Sequence, residues 1–355
     1  MFVKEILDRQ FRSISVIGMG KNTGKTFSFT QLLLDAGRLG LQVAMTTMGL
    51  DGEERDSLFG HDKPRITVRS GQIVANAKAL LLDSGLDWEI VGTTGIMTPL
   101  GEVVLARALS TGKTILAGPG TRHGLAMVKR KLEAMGIDLF LVDGAIDRRS
   151  LAAPMVTDTA VLAVGTEVSH DRTELLEKLK LQLEILTLPA FVHPGADSLR
   201  KLGGSTKLAF LGARDVQGVL GQKDVFQHSE VLPKKINPET TAIYLRGMLT
   251  NDLLAKVLSA VPRKAGFVLV ASDPSCVFLN RRSLNKLQAD QVFLHVLDPI
   301  QISAVTVNPL STSYGHADPL RLLRDVGQAV APLPCYDLGL GLRYEPEKEG
   351  FDAVP

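Results

Sequence analysis

The sequence predicts an α/β fold whose central sheet is doubly wound and mostly parallel. Short apolar runs alternate with longer stretches of helical period, which is the pattern of repeated βαβ units. One of these runs leads into a glycine-bearing loop that opens a helix. The 33 glycines of the 355-residue chain further indicate many tight turns between strands and helices.

The first half of the chain holds six candidate strands with helical segments between them. The strands are "SISVIG", "LQVAMTT", "WEIVGTTG", "TILAGPG", "LFLVDGA" and "AVLAVG". The predicted helices are "KTFSFTQLLLDAGRLG", "GEVVLARALSTG" and residues 121–136. Short apolar runs bounded by turn-forming residues are typical of buried strands.

Farther along the chain, four more strands and two more helices are predicted. The strands are "KLAFLGA", "AGFVLVASD", "VFLHVLD" and "ISAVTVNP", and the helices are "NDLLAKVLSAV" and "DPLRLLRDVGQAV". The polar, proline-bearing stretch at 221–241 is predicted to be a linker. We therefore expect an N-terminal domain over 1–220 and a C-terminal α/β extension or lobe over 242–355.

Composition and charge argue against several classes of protein. A net charge of +2 and the lack of a basic stripe argue against a nucleic-acid partner. No apolar run approaches the roughly 20 residues of a membrane helix, and the N-terminal stretch lacks the features of a signal peptide. The two cysteines, Cys276 and Cys335, lack CxxC spacing, which favours a reducing compartment. A cytoplasmic protein without membrane contact is expected.

The most informative motif is "GKNTGKT", which follows the strand "SISVIG" and opens the helix "KTFSFTQLLLDAG". A strand, a glycine loop and a helix N-terminus in this order form a P-loop, in which backbone N–H groups bind phosphate oxygens. Lys25 is then expected to reach the β and γ phosphates, and Thr26 to offer its hydroxyl to Mg²⁺. This context predicts a sheet of the P-loop NTPase type.

The predicted nucleotide-binding residues form one continuous run. They are Gly20, Lys21, Asn22, Thr23, Gly24, Lys25, Thr26 and Phe27. The run departs from strict GxxxxGK[ST] because Met19 stands where the first glycine belongs, with glycines on either side of it. Two interpretations of Lys21 stay open: a solvated loop lysine, or a lysine that contacts phosphate across a homodimer, as in some dimeric P-loop ATPases.

A P-loop site also needs a carboxylate at the end of another buried strand, aimed at the magnesium ion or its water shell. Asp143 directly follows the apolar residues of "LFLVDGA". It is therefore the predicted second metal residue beside Thr26, although it could instead begin an ordinary turn. Mg²⁺ and ATP are the expected cofactors.

The acidic stretch after the second strand contains candidates for the residues that orient the attacking water. Asp51 and Glu53 are the catalytic candidates there, beside Lys25, and the alternative is an acidic surface loop.

A second "GKT", at 112–114, runs into a strand instead of a helix and is rejected as a phosphate site. ATP is favoured over GTP because "NKLQ" at 285–288, the nearest match to a guanine-recognition loop, lacks its aspartate.

Several patches resemble one known family. "GMGKNTGKT", "GLDGEERD", "KPRITVRSG", "LVDGAIDRRSLAAPMVTDTAVLAVGTEVS" and "AVTVNPLSTSYGHADPLRLL" resemble the P-loop reactivase subunit associated with cobalamin-dependent lysine 5,6-aminomutase. The resemblance implies an ATPase that acts as a reactivating chaperone, in which nucleotide turnover helps a partner mutase release damaged cobalamin. It assigns phosphate and metal contacts to Gly20, Gly24, Lys25, Thr26 and Asp143. It does not imply cobalamin contact by this chain, because no DxHxxG string is present.

Three functions are consistent with the sequence. The first is an ATPase that acts as a switch or chaperone on a partner protein. The second is a small-molecule kinase or ligase-like phosphoryl transferase, and the third is a module that binds nucleotide without hydrolysing it. The C-terminal lobe lacks a catalytic motif of its own, which favours the first.

Overall fold

The computed structural model describes residues 2–48, 65–144, 156–221, 236–261 and 266–354. These residues form an α/β protein with a large, mostly parallel sheet, which agrees with the predicted class and is compatible with doubly wound topology. The chain divides into two compact units. The first comprises residues 1–180 and 301–355, and the second residues 181–300.

The first unit is built on an eleven-stranded sheet in the order β22-β21-β20-β17-β9-β1-β8-β2-β4-β6-β5. The strands from β20 to β4 are parallel, whereas those beyond them on either side are antiparallel. These eleven strands are β1 (Ser13–Gly18), β2 (Val43–Thr47), β4 (Ile73–Ala77), β5 (Trp88–Thr98), β6 (Gly101–Ala108), β8 (Leu139–Asp143), β9 (Thr159–Gly165), β17 (Ile302–Asn308), β20 (Cys335–Asp337), β21 (Leu342–Glu345) and β22 (Gly350–Ala353).

Two small antiparallel ribbons complete the strands of the first unit. One pairs β3 (Ile66–Val68) with β7 (Gly112–Thr114), and the other pairs β18 (Leu310–Ser311) with β19 (Gly315–His316). The "GKT" at 112–114 is thus itself a strand, β7, and opens no helix.

Amphipathic helices cover the parallel strands. The described helices of this unit are α1 (Phe2–Leu7), α2 (Lys25–Arg38), α3 (Lys78–Leu82), α4 (Arg122–Ala134) and α9 (Pro319–Val330), and α5 (Arg172–Leu186) contains residues of both units. The buried face of α2 includes Phe29 and Leu32, which join the core with Val16 of β1 and Leu141 of β8. Burial of this apolar face is what holds the N-terminal end of α2 at the edge of the sheet.

Two local predictions are wrong. The stretch "GEVVLARALSTG" is mainly strand β6, because its residues pair with β4 and β5 in the antiparallel part of the sheet, and tertiary pairing overrides the helical spacing. The stretch "TILAGPG" is extended but forms no strand beyond Thr114. The end of β4 bonds this stretch mainly through the buried Asn76 side chain, which accepts from the amide of Ala117 and donates to the carbonyl of Ile115. One backbone bond, from the amide of Ala77 to the carbonyl of Ala117, accompanies them.

The second unit has its own five-stranded sheet in the order β11-β10-β12-β14-β16. Its elements are α6 (Ala196–Lys201), β10 (Thr206–Leu211), β11 (Val216–Gly221), β12 (Ala242–Leu245), β13 (Leu249–Thr250), α7 (Asn251–Ala260), β14 (Phe267–Ala271), β15 (Val277–Phe278), α8 (Arg281–Ala289) and β16 (Val292–Val296). A separate apolar core, with Phe210, Ile243 and Leu269 among its buried residues, holds this sheet together.

The compact units differ from the predicted domain boundaries. Most of the predicted linker at 221–241, residues 222–235, lies outside the described residues. The strands on either side of it, β11 and β12, both pair with β10 in one sheet of the second unit. The expected C-terminal lobe is divided, because β17 pairs with β9 and returns residues 301–355 to the first sheet. Among the described residues, no helix combines the length and apolar character needed to cross a bilayer.

Candidate functional site

The candidate site is built around the glycine loop, residues 18–24, which joins the central strand β1 to helix α2. Strand β1 lies between β8 and β9, and all three run in parallel, so their carboxyl ends reach the same edge of the sheet. In open α/β sheets ligands bind at this edge. The helix begins at Lys25, and its 14 residues give the loop the positive end of a long helix dipole.

The positions of the glycines follow from close contacts. A Cβ at Gly18 would lie 2.5 Å from the Thr23 hydroxyl and 2.8 Å from the Lys25 side chain, so the lysine stem needs a glycine beneath it. Gly24 has a φ of +93°, a conformation that L side chains rarely adopt. A Cβ at Gly20 would make only ordinary van der Waals contacts. The departure at Met19 is therefore consistent with this loop, because the glycine that its geometry requires stands at position 18.

Lys25 is held inside the loop. Its Nζ donates to the carbonyl of Gly20 at 2.7 Å, and the Thr23 hydroxyl donates to the same carbonyl at 3.2 Å. Thr23 is only 1% exposed, so the loop closes over a buried hydroxyl. The ammonium group thus lies among the backbone groups of the loop, where an anion bound by their N–H groups would meet it.

Asp143 ends strand β8 beside the glycine loop. Its Cα pairs with Val16 of β1 and with Thr47 of β2, and the Thr47 hydroxyl donates to its carbonyl at 3.1 Å. The following amide, of Gly144, donates to the carbonyl of Val16 at 3.0 Å. Asp143 is partly buried at the carboxyl end of β8, next to β1.

The remaining predicted residues differ in their surroundings. Thr26 is partly buried in the first turn of α2, whereas Lys21 and Asn22 are exposed. Phe27 is 54% exposed on the same helical turn. Asp51 and Glu53, the predicted water-orienting residues, lie outside the described residues.

A second loop adjoins the glycine loop and was missed as part of the site. It consists of residues 309–316, "PLSTSYGH", and we call it the hydroxyl loop. Asn308, at the end of β17, donates to the carbonyl of Asn22 at 2.9 Å, and Asn22 donates to the Thr312 hydroxyl at 3.2 Å. The buried Ser28 of α2 shares a hydrogen bond of 2.8 Å with Thr306 of β17. The sequence signal was the cluster of hydroxyls directly after a buried strand.

Glu167 holds the hydroxyl loop in place. Its carboxylate accepts from the hydroxyl of Ser311 at 2.5 Å, from the amide of Thr312 at 2.9 Å and from the hydroxyl of Ser313 at 2.5 Å. The hydrogen bonds from Ser311 and Ser313 lower the pKa of Glu167 from its usual 4.5 to about 2. Glu167 lies just beyond β9, so it joins the ends of two neighbouring strands, β9 and β17.

The lowered pKa of Glu167 predicts a loss of stability in acid. A carboxylate with a depressed folded pKa stabilises the fold above its unfolded pKa, and that contribution is lost as pH falls through the folded pKa. We expect the unfolding free energy of the wild type to fall relative to that of Glu167→Gln between pH 4.5 and about 2. Urea denaturation across this range measures the difference, and hydrogen exchange at Thr312 and Ser313 should be faster in Glu167→Gln at neutral pH.

Glu177→Gln is the matched control, since it removes an exposed carboxylate from helix α5 ten positions along the chain. The unfolding free energy of Glu177→Gln should change with pH as that of the wild type does, across the same range. If the unfolding free energies of the wild type and Glu167→Gln changed with pH in parallel, the result would contradict the role of Glu167 in holding the hydroxyl loop.

Another glycine-rich turn, "GPGTRHG" at 118–124, leads into α4. The Thr121 hydroxyl accepts from the amide of Gly124 at 3.1 Å and so caps the helix itself. Among the described residues, no group of three or more His, Cys, Asp or Glu side chains is placed to hold a metal ion.

No protein-family model matches this chain, and no curated protein matches it significantly. A functional assignment therefore has to be drawn from the residues at the edge of the sheet.

Proposed function

We propose that this chain binds Mg²⁺-ATP at the glycine loop and hydrolyses it as a switch that acts on a partner protein. One observation carries the proposal: Lys25 lies across Gly18 and donates to the carbonyl of Gly20, in a loop between a buried parallel strand and a long helix. A loop of this form offers backbone N–H groups, a helix dipole and an ammonium group to the same anion.

Different groups of the glycine loop and α2 are proposed to contact the phosphates. In this proposal, the amides of the glycine loop and of the first turn of α2 bind the phosphate oxygens, and Lys25 neutralises charge on the β and γ phosphates. A charge-assisted bond from Lys25 to phosphate would replace its hydrogen bond to the Gly20 carbonyl.

The oxygen donors near the loop suit a magnesium ion. Thr26 supplies a hydroxyl and Asp143 a carboxylate, and Mg²⁺ prefers few protein oxygens together with phosphate oxygens and water. When bound, Mg²⁺ would neutralise charge on the β and γ phosphates. Asp143 is well suited to this task because its backbone is held on both sides, by Val16 and by Thr47.

The class of partner is proposed from the family resemblance. Patches such as "TVNPLSTSYG" resemble the reactivase associated with lysine 5,6-aminomutase, so the proposed partner is a cobalamin-dependent mutase. A switch ATPase turns over slowly alone and faster with its partner, because the partner favours one nucleotide state. A homodimer through Lys21 stays a separate prediction.

The test is calorimetry of ATP and GTP with the wild type, with and without Mg²⁺, followed by phosphate release on the same samples. We expect ATP binding that strengthens with Mg²⁺. Asp143→Asn should lose this strengthening while it retains the weaker metal-free binding. Asp83→Asn, at an exposed position after α3, is the control and should bind as the wild type does.

Each result separates the alternatives. Binding with slow phosphate release is expected of the switch, whereas binding without any release would leave a nucleotide-binding module, or a kinase if release appears only when a small-molecule acceptor is added. No binding of either nucleotide by the wild type would overturn the proposed function.

A further inference from the structure

The hydroxyl loop brings an exposed aromatic pair close to the glycine loop. Thr312 accepts from Asn22 of the glycine loop at 3.2 Å, and Tyr314 follows two residues later. Two residues span at most about 7 Å, so the backbone of Tyr314 is tied to the neighbourhood of the glycine loop. Tyr314 is 52% exposed, and the centroid of its ring is 5.4 Å from that of the His170 ring.

The backbone beneath this pair is held firmly. The amide of Tyr314 donates to the Ser311 hydroxyl at 2.9 Å, and that hydroxyl donates to Glu167. Glu167 lies three residues before His170, so its carboxylate ties the hydroxyl loop to the segment that carries the histidine. The exposed tyrosine ring is thus attached to a backbone segment that these hydrogen bonds hold in place.

Asp143, the glycine loop and the hydroxyl loop follow one another along this edge of the sheet in the order in which the metal, the phosphates and the nucleoside of a bound nucleotide would follow one another. Asp143 lies on β8, on one side of β1, whereas the hydroxyl loop follows β17, on the other side beyond β9. A triphosphate in the glycine loop with its metal toward Asp143 therefore directs its nucleoside away from β8 and toward the hydroxyl loop. The hydroxyls of Ser311 and Ser313 already donate to Glu167, so a flat aromatic face is the main feature left for a base.

We propose that Tyr314 stacks on the base of the bound nucleotide, with His170 supporting its ring. This inference rests on the proposed nucleotide site and assigns its nucleoside end. Every nucleobase has a π face, so stacking supplies affinity without strong selection between adenine and guanine. Tyr314 is thereby a binding residue for the nucleoside and has no part in phosphate contact.

The test compares two ligands that differ only in having a nucleoside. Mg²⁺-ATP and magnesium inorganic triphosphate are titrated by calorimetry into the wild type, Tyr314→Ala and Tyr314→Phe. Tyr314→Ala should weaken ATP binding about tenfold, the order of the loss of one base–aromatic stack, and leave triphosphate binding unchanged. Tyr314→Phe should retain the affinity of the wild type for both, because the aromatic face remains.

Phe293→Ala is the matched control, since Phe293 is an equally exposed aromatic residue (56%) on β16 of the second unit. It should change neither affinity. Equal weakening of both ligands by Tyr314→Ala, or no weakening of ATP binding, would overturn the stacking role while the phosphate site stands. A wild type that binds neither ligand would overturn the phosphate site itself, and the stacking role with it.

Discussion

Lys25→Ala is expected to weaken Mg²⁺-ATP binding about 100-fold, or by about 3 kcal/mol, because it removes the charged partner of the β and γ phosphates. The structure supplies the reason for so large an effect. The lysine stem lies against Gly18 and its Nζ is already within the loop, so little ordering is needed when the phosphates bind. Calorimetry with Mg²⁺-ATP measures the loss.

The fold should tolerate this substitution. The variant loses the charge-assisted hydrogen bond from Nζ to the Gly20 carbonyl, which contributes about 1–2 kcal/mol of stability in a partly exposed group. Thermal unfolding of Lys25→Ala beside the wild type checks that lost binding does not reflect lost folding.

The chain contains its own control for this experiment. Lys113 belongs to the second "GKT", which forms strand β7 and pairs with β3 instead of opening a helix. Lys113→Ala removes the same charge from the same tripeptide and should bind Mg²⁺-ATP as the wild type does. Equal binding by Lys25→Ala and the wild type would refute the P-loop interpretation.

Gly165→Ala is expected to disturb the site from a neighbouring strand. A Cβ there would lie 2.8 Å from the Cα of Thr23 and 3.3 Å from its carbonyl carbon. Because both are backbone atoms, the glycine loop itself must move away from β9. We expect a loss of about 1–3 kcal/mol in the free energy of unfolding, typical of overpacking. The displaced loop should also bind Mg²⁺-ATP about tenfold more weakly, since bound phosphates require aligned amides.

Gly20→Ala is the control for the stability measurement, because a Cβ at that position meets nothing nearer than 3.7 Å. Urea denaturation of the two variants beside the wild type should show a marked loss for Gly165→Ala and little change for Gly20→Ala. A Gly165→Ala variant as stable as the wild type would mean that Thr23 is not packed against β9 as described.

The central part of the fold was predictable from short-range patterns. The buried strands β1 and β8 follow their mainly apolar runs, and α2 begins directly after Gly24 as predicted and ends at Arg38, one residue beyond the predicted end at Gly37. The antiparallel edge was not predictable. Residues of β6 have spacing that also suits a helix, and only pairing with β4 and β5 selects the strand. Asn76 of β4 likewise bonds residues 115–117 through its side chain, and no local pattern reveals these bonds.

The sequence by itself determined the α/β class, the strand–loop–helix around Lys25 and the carboxylate of Asp143 at the end of a buried strand, because these features depend on neighbouring residues. The tertiary structure decided which distant segments meet them. Pairing of β17 with β9 returns the last residues to the first sheet and brings the hydroxyl loop to Asn22, 290 positions from Thr312. The close contact of Gly165 with Thr23 has the same origin. Such contacts depend on strand order, which is set by burial of the whole sheet and leaves no signal in local spacing.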